Sequence, residues 1–235
     1  MTVQDILKQL EAMGDPARRR HNARVGPDGI PGVPEDLQYG VKTGDLRKID
    51  KAIKGPERHD LGLELWATGN LDAQLLAILL VDAAGLSLDD LDDMVRDGRY
   101  SWVADWLQAY VIAKRTPQEK ANLRERWMRD PDAWAARAGW HLAASMVAKS
   151  DGDPAPALDP AALLDRIERE MPTARPETRW TMNNTLAAIG IHCPPLRERA
   201  VAIGERIGLY KDWPVSKGCT PPYVPVWVEK MAGAS

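Results

Sequence analysis

Apolar residues recur at helical spacing along almost the whole chain, and alternating apolar–polar runs are nearly absent. Ile6, Leu10 and Met13 share one face, and Thr2 with Asp5 has the spacing of a capping box ahead of them. Asp15-Pro16 opens a second helix with proline at its first position. Residues 26–34, GPDGIPGVP, form a loop. Thr43 is expected to cap a helix to about Lys54, with Leu46, Ile49 and Ile53 on one side. Gly55-Pro56 breaks it, and a helix over 57–68 carries Leu61, Leu65 and Trp66. Asn70 caps a strongly apolar helix to about Ala84. Ser87 starts the next, and residues 100–115 form another. Thr116-Pro117-x-Glu119 has the form of a capping box for a helix over 117–129, and Asp130-Pro131 opens one to about Ser150. The stretch 151–158, DGDPAPAL, is a loop by composition; helices follow at 159–171, 176–190 and 195–208.

Paired helices with short breaks predict an all-α fold. A unit of two helices cannot bury its apolar stripe alone, so stacked units share a core. The expectation is a single domain over 1–235, a right-handed α-solenoid with a concave face suited to a long partner. Residues 1–14 form its N-terminal helix, and 209–235 a Pro-rich irregular strap ending in a short helix.

Composition narrows the function. At 235 residues and 44% hydrophobic, the chain can bury a real core. A net charge of -3 argues against nucleic acid until the distribution is considered. Arg18, Arg19, Arg20, His21 and Arg24 crowd one helix; Lys42, Arg47, Lys48, Lys51 and Lys54 follow; Lys114 to Arg129 is basic again. Asp89, Asp90, Asp92, Asp93 and Asp97 form an acidic stretch between them, so the neutral total hides segregated charge. A solvated surface remains the competing reading of each cluster. Cys193 and Cys219 have no zinc spacing and are expected as reduced thiols in a cytoplasmic protein. The N-terminus reads as an amphipathic helix rather than a signal peptide, and the run 75–81 is too short to span a bilayer.

Nine Trp and no Phe make indoles the large apolar anchors, most of them expected as packing. Three groups carry possible chemistry. On a helix, Trp102, Asp105 and Trp106 are neighbours, and a carboxylate beside an indole can stabilise positive charge. The plainer alternative is a first-turn aspartate beside packing indoles. Arg137 stands between Trp134 and Trp140 among small residues, placed either to reach a phosphate or to stack on the surface. Trp180, Asn183 and Asn184 lie on an apolar helix, where the amides bridge repeats or meet a ligand. P-loop, GxGxxG, HExxH and GxSxG signatures are absent, which argues against nucleotide hydrolysis, dinucleotide chemistry, zinc proteolysis and α/β-hydrolase chemistry.

Several segments, taken in order, resemble the DNA alkylation repair (AlkD-like) family. They are Tyr39 to Arg47, Leu63 to Trp66, the helix 71–82, Trp102 to Asp105, Trp134 to Arg137, TMNNTLAAIGI at 181–191, and Lys217-Gly218-Cys219. The resemblance covers roughly 15–232 and implies a HEAT-like fold that holds duplex DNA, alkylated or distorted, in a basic concave cleft. Its glycosylase members release N3- and N7-alkylated purines, using an aspartate framed by tryptophans. It assigns Asp105 as the catalytic carboxylate, with Trp102 as the nearest indole, and Arg137 as a backbone-binding arginine. Further DNA contacts are expected from Trp106, Trp140, Lys114, Arg115, Trp180 and Asn184. The pattern departs at Ser101, where the family has its first tryptophan, and near Asn184-Thr185, where it has its second; Trp180 stands about one turn earlier.

Three functions follow: an alkylpurine DNA glycosylase, a non-catalytic helical-repeat DNA binder, or a protein-interaction scaffold. No cofactor, metal or membrane partner is expected, and the chain is expected to be a monomer.

Overall fold

The helical spacing is realised as helices throughout the computed structural model, which describes residues 1–149 and 158–233. The described residues contain thirteen α-helices and four short 3-10 turns, with no strand. They divide into two compact units, one over Met1–Thr116 and one from Pro117 onward.

The first unit holds α1 (Val3–Ala12), α2 (Pro16–Asn22), α3 (Thr43–Ala52), α4 (Arg58–Trp66), α5 (Leu71–Leu80), α6 (Leu88–Asp97) and α7 (Ser101–Tyr110). Short polar side chains start most of them. Thr2 and Asp5 form a reciprocal capping box, as do Ser87 and Asp90. Asp15 caps α2 ahead of Pro16, and Asn70 accepts from the N–H groups of Asp72 and Ala73. Helix α3 departs from expectation: Lys42 occupies the capping position, with no side-chain cap bond, and Thr43 is already helical.

Helix α5 is buried nearly all round, which is why its sequence is apolar without a polar face. It packs against α3, α4 and α7 and forms the middle of the unit. Expected to reach Ala84, it stops at Leu80. Helix α7, expected to run to Arg115, stops at Tyr110 and passes into a 3-10 turn over Ile112–Lys114. One buried side chain closes this region: Arg115 donates to the Ala83 carbonyl at 2.8 Å and the Leu86 carbonyl at 2.7 Å.

The second unit holds α8 (Pro117–Trp127), α9 (Ala133–Ala148), α10 (Pro160–Glu170), α11 (Pro176–His192), α12 (Arg197–Ile207) and α13 (Val224–Ala232). Helix α9 begins two residues after Pro131 because Asp132 caps it, accepting from Trp134 N at 2.9 Å and Ala135 N at 3.0 Å. Helix α11 is central, packed on α9, α10, α12 and α13. Gly139 sets the approach of α9 to α8: a Cβ there would stand 2.5 Å from the Met128 nitrogen. The tail expected as a strap contains α13, whose Val224 and Val228 join the core. Apart from the buried Leu158, the loop expected at 151–158 lies outside the described residues.

Candidate nucleic-acid interface

Helix α7 has two unlike faces. Val103 and Leu107 are buried, with Gln108 beside them. The other face carries Trp102, Asp105, Trp106 and Tyr110, spaced to lie together along the helix. Trp102 is 39% exposed, a high value for the largest apolar side chain, and Asp105 is half-buried. Trp106 and Tyr110 pack edge-on, with ring centroids 5.4 Å apart.

Arg47, from α3, lies over this aromatic pair. Its guanidinium carbon is 5.1 Å from the Trp106 ring centre and 5.5 Å from that of Tyr110. Its Nη2 donates to the Tyr110 hydroxyl at 2.6 Å. Guanidinium stacking of this kind holds the cation in one orientation while its remaining N–H donors face outward. Lys114, on the turn after α7, is exposed.

A cleft of about 260 Å³ opens at the start of α7. Tyr100, Ser101, Trp102 and Asp105 line one side, and the segment from Asn22 to Val33 lines the other. That segment is tied at its base. Val33 N donates to Asn22 O at 2.9 Å, Asn22 Nδ2 donates to Gln38 Oε1 at 2.9 Å, and Gln38 Nε2 donates to Val33 O at 2.7 Å. The GPDGIPGVP loop read from sequence is therefore an ordered wall of the cleft.

The stretch leading into α3 is fixed by Asp72. Its carboxylate accepts from Tyr39 N at 2.6 Å, Gly40 N at 3.0 Å and Val41 N at 3.0 Å. Burial pushes its carboxyl up, against the lowering effect of those three bonds. Asp72 thus positions the helix that carries Arg47.

Some expected contacts belong to the protein interior. Arg115, expected as a DNA contact, is buried on the two carbonyls already described. Trp140, 1% exposed, is core and lies under the Arg166 guanidinium at 5.1 Å. Arg137 is 2% exposed, sits 5.8 Å from the Trp134 ring centre and donates to the Glu177 carbonyl at 3.3 Å. In this conformation both, expected as DNA contacts, present almost no surface to a phosphate. Arg124, within a run that reads as basic surface, is 3% exposed.

The expected pair on α11 is more open. Trp180 is half-buried in an aromatic cluster, 5.4 Å from Tyr210 and 5.2 Å from Trp213 by ring centres. Asn184 is half-buried and its Oδ1 lies out of solvent with no hydrogen-bond partner. Asn183 is structural, donating to the Pro222 carbonyl at 2.8 Å. Sequence reasoning noted Arg47 only as one basic residue among several and missed both its aromatic seat and the Asn22–Val33 wall. The spacing of Trp106 and Tyr110 on one helix face was the available signal; nothing local pointed to Arg47.

Among the described residues, no group of three or more His, Cys, Asp or Glu side chains could hold a metal ion. No described helix is long and apolar enough to cross a membrane.

Comparison with known proteins gives the family and the fold. A family model described as DNA alkylation repair enzyme matches residues 6–209. An uncharacterized protein of Listeria innocua serovar 6a is 23% identical over 201 residues, covering 85% of this chain and 86% of its own. One from Listeria monocytogenes serovar 1/2a is 22% identical with the same coverage, 85% and 86%. A solved structure described as "a new family of proteins related to the HEAT-like repeat DNA glycosylases with affinity for branched DNA structures" matches with a TM-score of 0.67. Identity to it is 22%, over 100% of this chain and 95% of that one. The likeness carries the fold: an all-α arrangement of HEAT-like helical repeats.

Proposed function

We propose that this chain, which belongs to the DNA alkylation repair enzyme family, binds DNA along the α7 face of its first unit and hydrolyses the N-glycosidic bond of alkylated purines there. The observation that carries this reading is that Asp105 and Trp102 line one cleft, on the same helix face as the Trp106–Tyr110 pair that seats Arg47.

The chemistry suits that arrangement. An N3- or N7-alkylated purine carries positive charge, so its glycosidic bond is already weakened. As the C1′–N bond breaks, its electron pair passes to the base, which leaves neutral. Positive charge moves to the sugar as an oxocarbenium. The Asp105 carboxylate stabilises that charge, and water adds to C1′ and gives up a proton. Trp102 offers its face to the same developing charge. Arg47 supplies a fixed cation for a phosphate, so binding does not depend on net charge. Its planar fork suits phosphate oxygens better than an ammonium would.

The experiment is release of 7-methylguanine from alkylated duplex DNA at stoichiometric protein. Release by the native chain, and its loss in Asp105→Asn, is the expected result. No release by the native chain removes the hydrolytic half of the proposal.

A second reading is binding of branched DNA without hydrolysis. The observation favouring it is Ser101, which stands at the first turn of α7 where the resemblance expects an indole. A structural relative is described as having affinity for branched DNA structures. Tight, salt-dependent binding of a four-way junction together with absent base release decides for it.

A further inference from the structure

We propose that the cleft between the start of α7 and the Asn22–Val33 segment is a binding site for one unpaired nucleotide of DNA, its base stacked on Trp102. The proposal rests on the reading that this chain binds DNA, but not on whether it hydrolyses anything.

Size comes first. A space of about 260 Å³ is of the order of one nucleoside. Its chemistry is also that of a base site. Trp102, Pro31 and Ile30 supply apolar lining, while Asn22, Ser101 and Asp105 supply polar atoms. Single-stranded bases are held in this mixed way, by stacking on an aromatic side chain with hydrogen bonds to their edges. Arg24 lines the cleft and is exposed, so it suits the phosphate of the same nucleotide.

The wall is preformed. Besides the Asn22–Gln38–Val33 ties, Gly26 N donates to Ile30 O at 2.9 Å and Ile30 N to Asp28 Oδ1 at 3.0 Å. Gly32 shows how closely the two limbs of the loop approach. A Cβ there would stand 2.3 Å from the Asn22 oxygen and 2.4 Å from the Arg24 oxygen. A wall held in this way does not have to be ordered when a ligand arrives. Nucleotides at branch points, flaps and bulges are already unstacked or easily unstacked, so they enter without the full cost of extrusion from a duplex.

The test compares two branched DNAs that differ only in one unpaired 2-aminopurine nucleotide at the branch. Affinity is read by titration, and stacking by the fluorescence of the 2-aminopurine. The native chain is expected to bind the DNA with the unpaired base about tenfold more tightly and to quench its fluorescence. Trp102→Ala is expected to remove both the preference and the quenching; Trp102 is exposed, and unchanged circular dichroism and melting confirm that the variant folds. Arg24→Ala is expected to reduce the preference in part, more at low salt than at high salt. Equal affinity of the native chain for the two DNAs, with no quenching, overturns the proposal and leaves DNA binding standing. Quenching that persists in Trp102→Ala also overturns it. Failure to bind either DNA overturns the DNA-binding reading itself.

Discussion

Arg47 and Tyr110, 63 residues apart in the chain, are joined by a 2.6 Å hydrogen bond from the guanidinium to the phenol oxygen. The bond links α3 to the end of α7 and seats the cation on two aromatic rings. A surface arginine held this way has already given up side-chain freedom, so contact with a phosphate costs less further entropy.

Replacing Arg47 by Ala should therefore weaken DNA binding with little effect on folding. The slope of log affinity against log salt should become shallower by about 0.9, the loss of one phosphate contact. Arg47→Lys should recover the charge but not the stack, and so only part of the affinity. Titrations at several salt concentrations measure both; an unchanged slope in Arg47→Ala would remove Arg47 from the interface.

Arg137 and Trp140 should behave in the opposite way. Trp140→Ala empties a fully buried site and should cost about 3–5 kcal/mol of stability. Arg137→Ala should cost about 2 kcal/mol, from lost packing against Trp134 and the lost bond to the Glu177 carbonyl. Urea unfolding reads both. The salt slope of any folded Arg137 variant should match the native chain, and a shallower slope would contradict a purely interior role.

Asp72 holds three backbone N–H groups, and removing it leaves all three without that acceptor, two of them buried. Asp72→Ala should destabilise the chain by about 3 kcal/mol or more, and Asp72→Asn by less, since one oxygen remains. Because α3 follows directly, Asp72→Ala should also weaken DNA binding through a displaced Arg47. An Asp72→Ala protein as stable as the native chain would rule out this anchoring role.

Glu170 carries a pH dependence. Burial alone would push its carboxyl up, but bonds from Arg166 at 2.9 Å and Arg169 at 2.7 Å outweigh that and hold it below the ordinary 4.5. A carboxyl lowered on folding adds stability that is fully present above its unfolded value. That stability is lost as pH falls through the folded value. The native chain should thus exceed Glu170→Gln in stability at pH 6, and the gap should close on acidification below 4.5. Since the pair is partly exposed, added salt should narrow the gap as well. A gap independent of pH would show that the carboxylate charge plays no part.

Much of the fold was legible in the chain because its signals are local. Asp15, Asn70 and Ser87 start the helices they were expected to start, since a cap bonds to N–H groups only two or three residues away. Helix ends were read less well. Helices α5 and α7 each stop several residues early, in the region that the distant Arg115 closes. Trp102 and Asp105 were found together because three residues on a helix put them on one face whatever surrounds them.

The division between the two kinds of information is clearest among the arginines. Local pattern determined that the chain is helical, where most helices begin, and that a carboxylate and an indole share the exposed side of α7. It could not separate Arg47 from Arg115, Arg124 or Arg137, which look alike as letters in basic or aromatic surroundings. Tertiary packing decided that Arg47 stands outward on two rings while the others are drawn inside. It also decided that a loop of Gly and Pro becomes one wall of a nucleotide-sized cleft. The physical reason is range. Backbone hydrogen bonding and capping act within a turn, whereas burial depends on which distant segments remove a side chain from water.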